Sequence, residues 1–263
     1  LGSMKISKVE AMFAGAAVVA TLAAYLWSTA TSGINPVDWK DGDLIVQQSK
    51  TVPVLPVFGT KTEPPAHIGI VQVSDGSPVV YEANETVTAT PLAEFISRGR
   101  SKQFAAYRVA SLTPVQASLV VSAARTKLGM AGDFFLDEDP DHIYSSELVR
   151  MAYLAAGIEL GRMERLGTLA KGNPTVSSKF MGKWQQSKPC KRRYLDYEQC
   201  WSTIAHYDAI TPMSLISDPH VQPVYASPGA STVMLAAGAA PPAQTATRDA
   251  GPTPEAPALG LRP

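Results

Sequence analysis

The chain is short of cysteine. Its 263 residues include two, Cys190 and Cys200. Their spacing matches no metal-ligand pattern, so no metal site is expected on them. Neither stands directly after the apolar run near the N-terminus, so no bacterial lipoprotein anchor is expected. An excess of charge is also missing: 23 basic and 23 acidic residues leave a formal net charge of +0. A nucleic-acid binder would carry a basic footprint, so no nucleic-acid partner is expected. There is no internal repeat, and no motif calls for a cofactor.

The chain has enough apolar residues for a globular domain, at 45%. The two cysteines flank "CKRRYLDYEQC". In an oxidising compartment they make a local disulfide, and in a reducing one two free thiols in a packed segment. Leu1-Gly2-Ser3 precede Met4 and read as a tag remnant over 1–3, outside the fold. Lys5 and Lys8 then lead into a charge-free run, Ala11 to Trp27. Residues 4–32 are expected to be a signal peptide, with a small-residue cleavage pattern at Ser28-Thr29-Ala30, or an uncleaved membrane anchor with Trp27 at the interface. Lysines before the run favour a chain that lies outside the cytoplasm. That means a periplasmic or extracytoplasmic location, or an inner-membrane anchor with membrane contact through Ala11–Trp27. At the other end, 226–263 is rich in Ala and Pro and nearly uncharged. It cannot bury enough surface to offset ordering, and a disordered tail is expected.

The domain is therefore expected over 36–225. "GDLIVQQS" from Gly42 reads as a strand entered from a turn, and a proline-rich stretch, 51–66, follows. "HIGIVQV" and "PVVYEAN" flank Asp75-Gly76, a favoured hairpin dipeptide. "QFAAYRV" from Gln103 is a third strand. Thr113, Pro114 and Gln116 supply cap, first-turn proline and capping-box partner for a helix running to Leu128 and stopped at Gly129. A second helix runs from Ser145 or Ser146 to Ala156. The region around Trp184 and Trp201 has no assignable element. Strands followed by helices indicate an α+β domain, with an antiparallel sheet packed against helices.

Register arithmetic on the hairpin brings chemistry together. With Asp75-Gly76 at the turn, Ser74 opposes Ser77, Gly69 opposes Glu82 and His67 opposes Asn84. Directly opposed residues share a face. His67 and Glu82 are then diagonal neighbours, roughly 7–8 Å apart along the backbone and within side-chain reach. An imidazole beside a carboxylate is the base and orienter of a catalytic triad, and Asn84 competes with Glu82 for the orienting role. Ser145 begins a helix, where free N–H groups and the positive dipole end lower a thiol's pKa and hold an oxyanion. The chemistry asks for a cysteine at that position. Read alone, Ser145 and Ser146 are a helix cap and His67 a half-buried strand residue. His142 reads as a loop residue, His206 and His220 lack context, and the acids from Asp133 to Asp141 lack the spacing of a calcium loop. Tyr144 either shapes the pocket or packs under the helix.

"GDLI" at Gly42, "HIGIV" at His67, "VVYEAN" at Val79 and "DFFLDEDPDHIYSSELV" at Asp133 resemble, in order, the permuted NlpC-type, papain-like cysteine hydrolases of the YiiX-like group. The resemblance covers roughly 38–160. It implies a permuted papain-like domain with His67 as base and Glu82 as third polar residue. It places the nucleophilic cysteine of a Tyr-Cys-Ser-Glu-Leu-Val motif where this chain has Ser145. A serine hydroxyl is far less acidic than a thiol, whose pKa is about 8.5 before the helix lowers it. The expectation is a thiol hydrolase of amide bonds, with Ser145 an inactivating substitution and peptidoglycan peptides the substrate. Two alternatives stand beside it: a lipid acyl hydrolase or acyltransferase of the same fold, and an inactive binding module with a native serine. Delivery as a cell-wall toxin is a further reading without a direct sequence sign.

Overall fold

A computed structural model describes residues 37–49, 67–73, 76–133, 136, 140–171, 184–193 and 196–230. The expected apolar N-terminal segment, the proline-rich stretch 51–66 and residues 231–263 lie outside the described residues. Among the described residues no helix is long and apolar enough to cross a membrane.

Six strands make one sheet: β1 (Leu44–Ser49), β2 (His67–Gln72), β3 (Val79–Ala83), β4 (Val87–Pro91), β5 (Gly99–Val109) and β10 (Val221–Ala226). Their order is β10-β5-β1-β2-β3-β4, and every neighbouring pair is antiparallel. The domain is α+β, as the sequence implied. The hairpin register also agrees with the arithmetic: Ile70 opposes Tyr81, Val71 opposes Val80 and Gln72 opposes Val79.

The two faces of the sheet bury different side chains because strand residues alternate. One face carries Leu44, Val46, Ile68, Ile70, Tyr81 and Tyr107. It packs against α2 (Pro114–Arg125) and α3 (Ser145–Ala155) through Val120, Val121, Ala124, Leu148, Val149 and Tyr153. The opposite face carries Ile45, Val71, Val80, Phe104 and Ala106, covered by Leu92, Phe95 and Ile96 of α1 (Leu92–Arg98) together with Val37 and Trp39.

The cap at Thr113 forms as a reciprocal capping box with Gln116, and Pro114 opens α2. The helix ends at Arg125 rather than Leu128, and turns carry the chain to Gly129 at φ 81°. Two-residue strands follow: β6 (Ala131–Gly132) pairs with β7 (His142–Ile143), and β8 (Glu164–Arg165) pairs with β9 (Asp208–Ala209). The region without expected elements holds α4 (Leu166–Ala170), a 3-10 turn at Trp184–Gln186, α5 (Lys188–Arg193), α6 (Tyr197–Ile204) and α7 (Pro212–Ile216). A disulfide joins Cys190 of α5 to Cys200 of α6. Both sit in a small core with Leu166 and Ile204.

Ala226 belongs to β10, and Ser227 N–H donates to the Phe104 carbonyl at 3.0 Å. Residues 227–230 thus continue from the edge strand of the sheet.

Candidate active site

His67 begins β2, and its side chain falls on the α1 face because it is in step with Val71. The Phe95 ring stacks on the imidazole, with centroids 5.6 Å apart and planes 25° from parallel. Gly69 lies between His67 and Val71 on this face. A Cβ there would meet Cγ1 of Val80, so the space left by the glycine is filled by the neighbouring strand.

His67 and Glu82 meet. Nε2 of His67 lies 2.6 Å from Oε2 of Glu82, with 1% and 0% of the side chains exposed. Asn84 does not take the imidazole; its Nδ2 donates to the same Oε2 at 2.8 Å. The other oxygen, Oε1, accepts from the Arg98 guanidinium. Burial pushes the Glu82 carboxyl up, but the hydrogen bond and charge of His67, a Thr90 hydrogen bond and the Arg98 charge together bring it down to about 2. The carboxylate is therefore ionised and fully partnered, and it fixes which imidazole nitrogen faces it. His67 Nδ1 is buried and has no hydrogen-bond partner among the described residues.

Ser145 is the first residue of α3 and is buried. The structure leaves it outside the hydrogen-bonded group of His67, Glu82 and Asn84. The body of α3 packs on the opposite face of the sheet from His67, with Leu148 and Val149 in one core with Ile68 and Ile70. The chain is built tightly at the open end of the β2–β3 hairpin. Gly132 N–H donates to the Glu85 carbonyl at 2.8 Å, and a Cβ at 132 would overlap the Asn84 carbonyl. Gly132 pairs with Ile143, two residues before Ser145. A glycine at 132 thus lets β6 and β7 press against the turn after β3 and start α3 at the His67 end of the sheet.

Tyr144 precedes the helix. Its hydroxyl accepts from Ile210 N–H at 2.9 Å, and burial pushes its pKa up. It packs under the helix start rather than acting as an ionisable group. Glu147, in the first turn, accepts from Tyr144 N–H, and burial outweighs that bond and Lys127 to raise its carboxyl to about 7. His142 sits in β7, with Nδ1 3.1 Å from Lys188 Nζ. His206 faces the Ser202 carbonyl, and His220 pairs with Asp218.

Sequence reasoning missed α1. Phe95 and Arg98 stand three apart on one helix face, so one short helix touches both the imidazole and its carboxylate. The signal was faint: a seven-residue element after Pro91, with no motif of its own.

An antiparallel sheet bearing a buried His–carboxylate pair, with a later helix beginning beside its open end, defines a papain-like hydrolase fold in permuted order. The chain belongs to the permuted papain-like amidase family YaeF/YiiX, C92, whose model matches residues 38–225. It is 28% identical over 151 residues to the uncharacterised protein YiiX of Escherichia coli strain K12, across 56% of this chain and 74% of that one. The crystal structure of the metalloprotein YiiX from Escherichia coli O157:H7 is similar with a TM-score of 0.60 and 25% identity, over 72% of this chain and 97% of that one. Membership supports hydrolase chemistry of the cysteine type.

Proposed function

We propose that the active form of this protein is an extracytoplasmic thiol amidase acting on peptidoglycan peptides, and that Ser145 marks its nucleophile position in an inactivated state. The observation that carries this reading is the buried Glu82–His67 contact with Nδ1 left unbonded. A cysteine thiol at position 145 would give its proton to that nitrogen, and the thiolate would attack the amide carbon. The N–H groups of the first turn of α3 would hold the oxyanion, His67 would return the proton to the leaving amine, and a water deprotonated by His67 would then hydrolyse the thioester, releasing the carboxylate and the thiol. Glu82 keeps the imidazole in the required tautomer. Because the body of α3 lies on the other face, the scheme requires side chain 145 to approach Nδ1 around the Asn84 end of the hairpin.

The disulfide supports a location outside the reducing cytoplasm. The structural neighbour from Escherichia coli O157:H7 is a metalloprotein. Among the described residues of this chain, no three His, Cys, Asp or Glu groups are arranged to hold an ion, and the oxygens of Glu82 are already engaged.

The test is to incubate the Ser145→Cys protein with purified muropeptides and, separately, with phospholipid vesicles. Release of free amines supports the amidase. Release of fatty acid moves the assignment to the acyl hydrolase alternative. No turnover of either, nor of other amides and esters, leaves a binding module and ends the enzyme reading.

A further inference from the structure

The outward side of α2 carries no charge. From Pro114 to Ala124 its exposed residues include Val115, Ser118, Leu119 and Ser122, and the first charged residue is Arg125. A helix face turned to water ordinarily holds charged side chains. Here Val115 is 71% exposed and Leu119 47%. Met151 and Leu154 of α3 are exposed as well. The two helices run antiparallel: Gln116 Nε2 donates to the Ala156 carbonyl at 3.4 Å, and Lys127, past the other end of α2, acts on Glu147 in the first turn of α3. The four apolar side chains are thus gathered towards one end of the helix pair.

That end is also where the chain enters the domain. Val37 and Trp39 pack on the α1 side. The chain then crosses to Gly42, where a Cβ would meet Leu112 just before α2 and Ala117 within it. The Gly42 carbonyl accepts from the Tyr153 hydroxyl of α3. Trp27, the last residue of the charge-free run, stands ten positions before Val37. An extended chain of that length reaches at most roughly 35 Å.

We propose that the outward face of α2 and α3 lies on a phospholipid bilayer. The inference goes beyond the hydrolase reading and takes up only the expectation that residues 4–32 bring the chain to a membrane. Val115, Leu119, Met151 and Leu154 enter the boundary between headgroups and acyl chains, and Ser118 and Ser122 meet headgroups. No charge on the outward side of α2 has to lose its water for this contact. A short tether by itself holds the domain near the lipid without orienting it; the apolar contact fixes one orientation. The candidate site is then held at the far end. α3 begins at Ser145, about 15 Å along its axis from Ala155. β2 runs from His67 to the tethered end, where the Val71 carbonyl accepts from Gly42 N–H at 2.9 Å. Substrate therefore reaches the site from the side away from the bilayer.

The experiment uses the full chain, with Ser145 in place, in phosphatidylethanolamine–phosphatidylglycerol vesicles whose acyl chains carry bromine. A fluorophore is attached through Ser118→Cys on α2 or, as the reference, through Ser97→Cys, an exposed position of α1. Bromine quenches a fluorophore that sits at the acyl boundary. Quenching is expected to be about threefold greater at 118 than at 97. The double variant Leu119→Glu, Leu154→Glu is expected to abolish the difference while keeping the parental circular dichroism. Should that variant not fold, the comparison of the two labelled positions still decides. Equal quenching at 118 and 97, or a chain that stays in solution, overturns the inference. A label at 118 that bromine leaves untouched but a second labelled copy quenches marks the face as a contact between chains, and overturns it equally. An inactive Ser145→Cys protein defeats the proposed function and leaves this measurement unaffected.

Discussion

Nε2 of His67 sits 2.6 Å from Oε2 of Glu82, and neither side chain reaches solvent. One hydrogen bond across two strands thus sets which imidazole nitrogen faces the carboxylate. Its loss should remove function before it removes the fold. In the Ser145→Cys background, His67→Ala is expected to reduce kcat/KM for amide hydrolysis by on the order of a thousandfold. Glu82→Gln should cost less, because an amide oxygen still accepts from Nε2–H. Steady-state rates on one amide substrate check both, and a His67→Ala protein with parental turnover would falsify the base assignment.

Acid should unfold the protein partly through Glu82. Its carboxyl is held at about 2 in the fold against an ordinary 4.5, so the stability it contributes is present above pH 4.5 and is lost as pH falls towards 2. The full effect is about 3 kcal/mol. Urea midpoints measured from pH 6 to pH 2 should fall steeply in the parent and less steeply in Glu82→Gln.

Glu147 has the opposite sign. Burial raises its carboxyl to about 7, so the folded state binds a proton that the unfolded chain has released, and stability declines as pH rises from 4.5 through 7. Glu147→Gln keeps an acceptor for Tyr144 N–H and cannot ionise. Thermal melts at pH 5 and pH 8 should differ less for the variant than for the parent.

Gly132 is expected to tolerate no side chain. A Cβ would overlap the Asn84 carbonyl, which is backbone and cannot rotate away. Gly132→Ala should destabilise the domain by about 3 kcal/mol and disturb the start of α3. A denaturant melt that matches the parent would show that β6 does not press on the turn after β3.

The disulfide closes a separation of 10 residues between α5 and α6. Replacing both cysteines by serine should cost about 2–3 kcal/mol by releasing chain entropy in the unfolded state. Those residues share a core with Leu166, and Lys188 of α5 touches His142 next to the α3 start. The loss should therefore appear first as local opening of residues 184–204 in hydrogen exchange.

Much of the site was written locally. A two-residue turn at Asp75-Gly76 and the period of two in a strand are enough to put His67 and Glu82 on one face, because register follows from counting. The N-terminal cap of α2 was legible for the same reason: Thr113 and Gln116, which make it, are three residues apart. What tertiary structure alone decided lies at longer range. It chose Glu82 over Asn84 for the imidazole, by bonding Asn84 to the carboxylate instead. It set α1 over the pair, so that Phe95 and Arg98 converge on residues 28 and 16 positions away in the chain. It also sent the body of α3 to the far face, a choice made by Leu148 and Val149 burying against Ile68 and Ile70. No spacing rule reports such contacts, because they form between elements that meet only when the core closes.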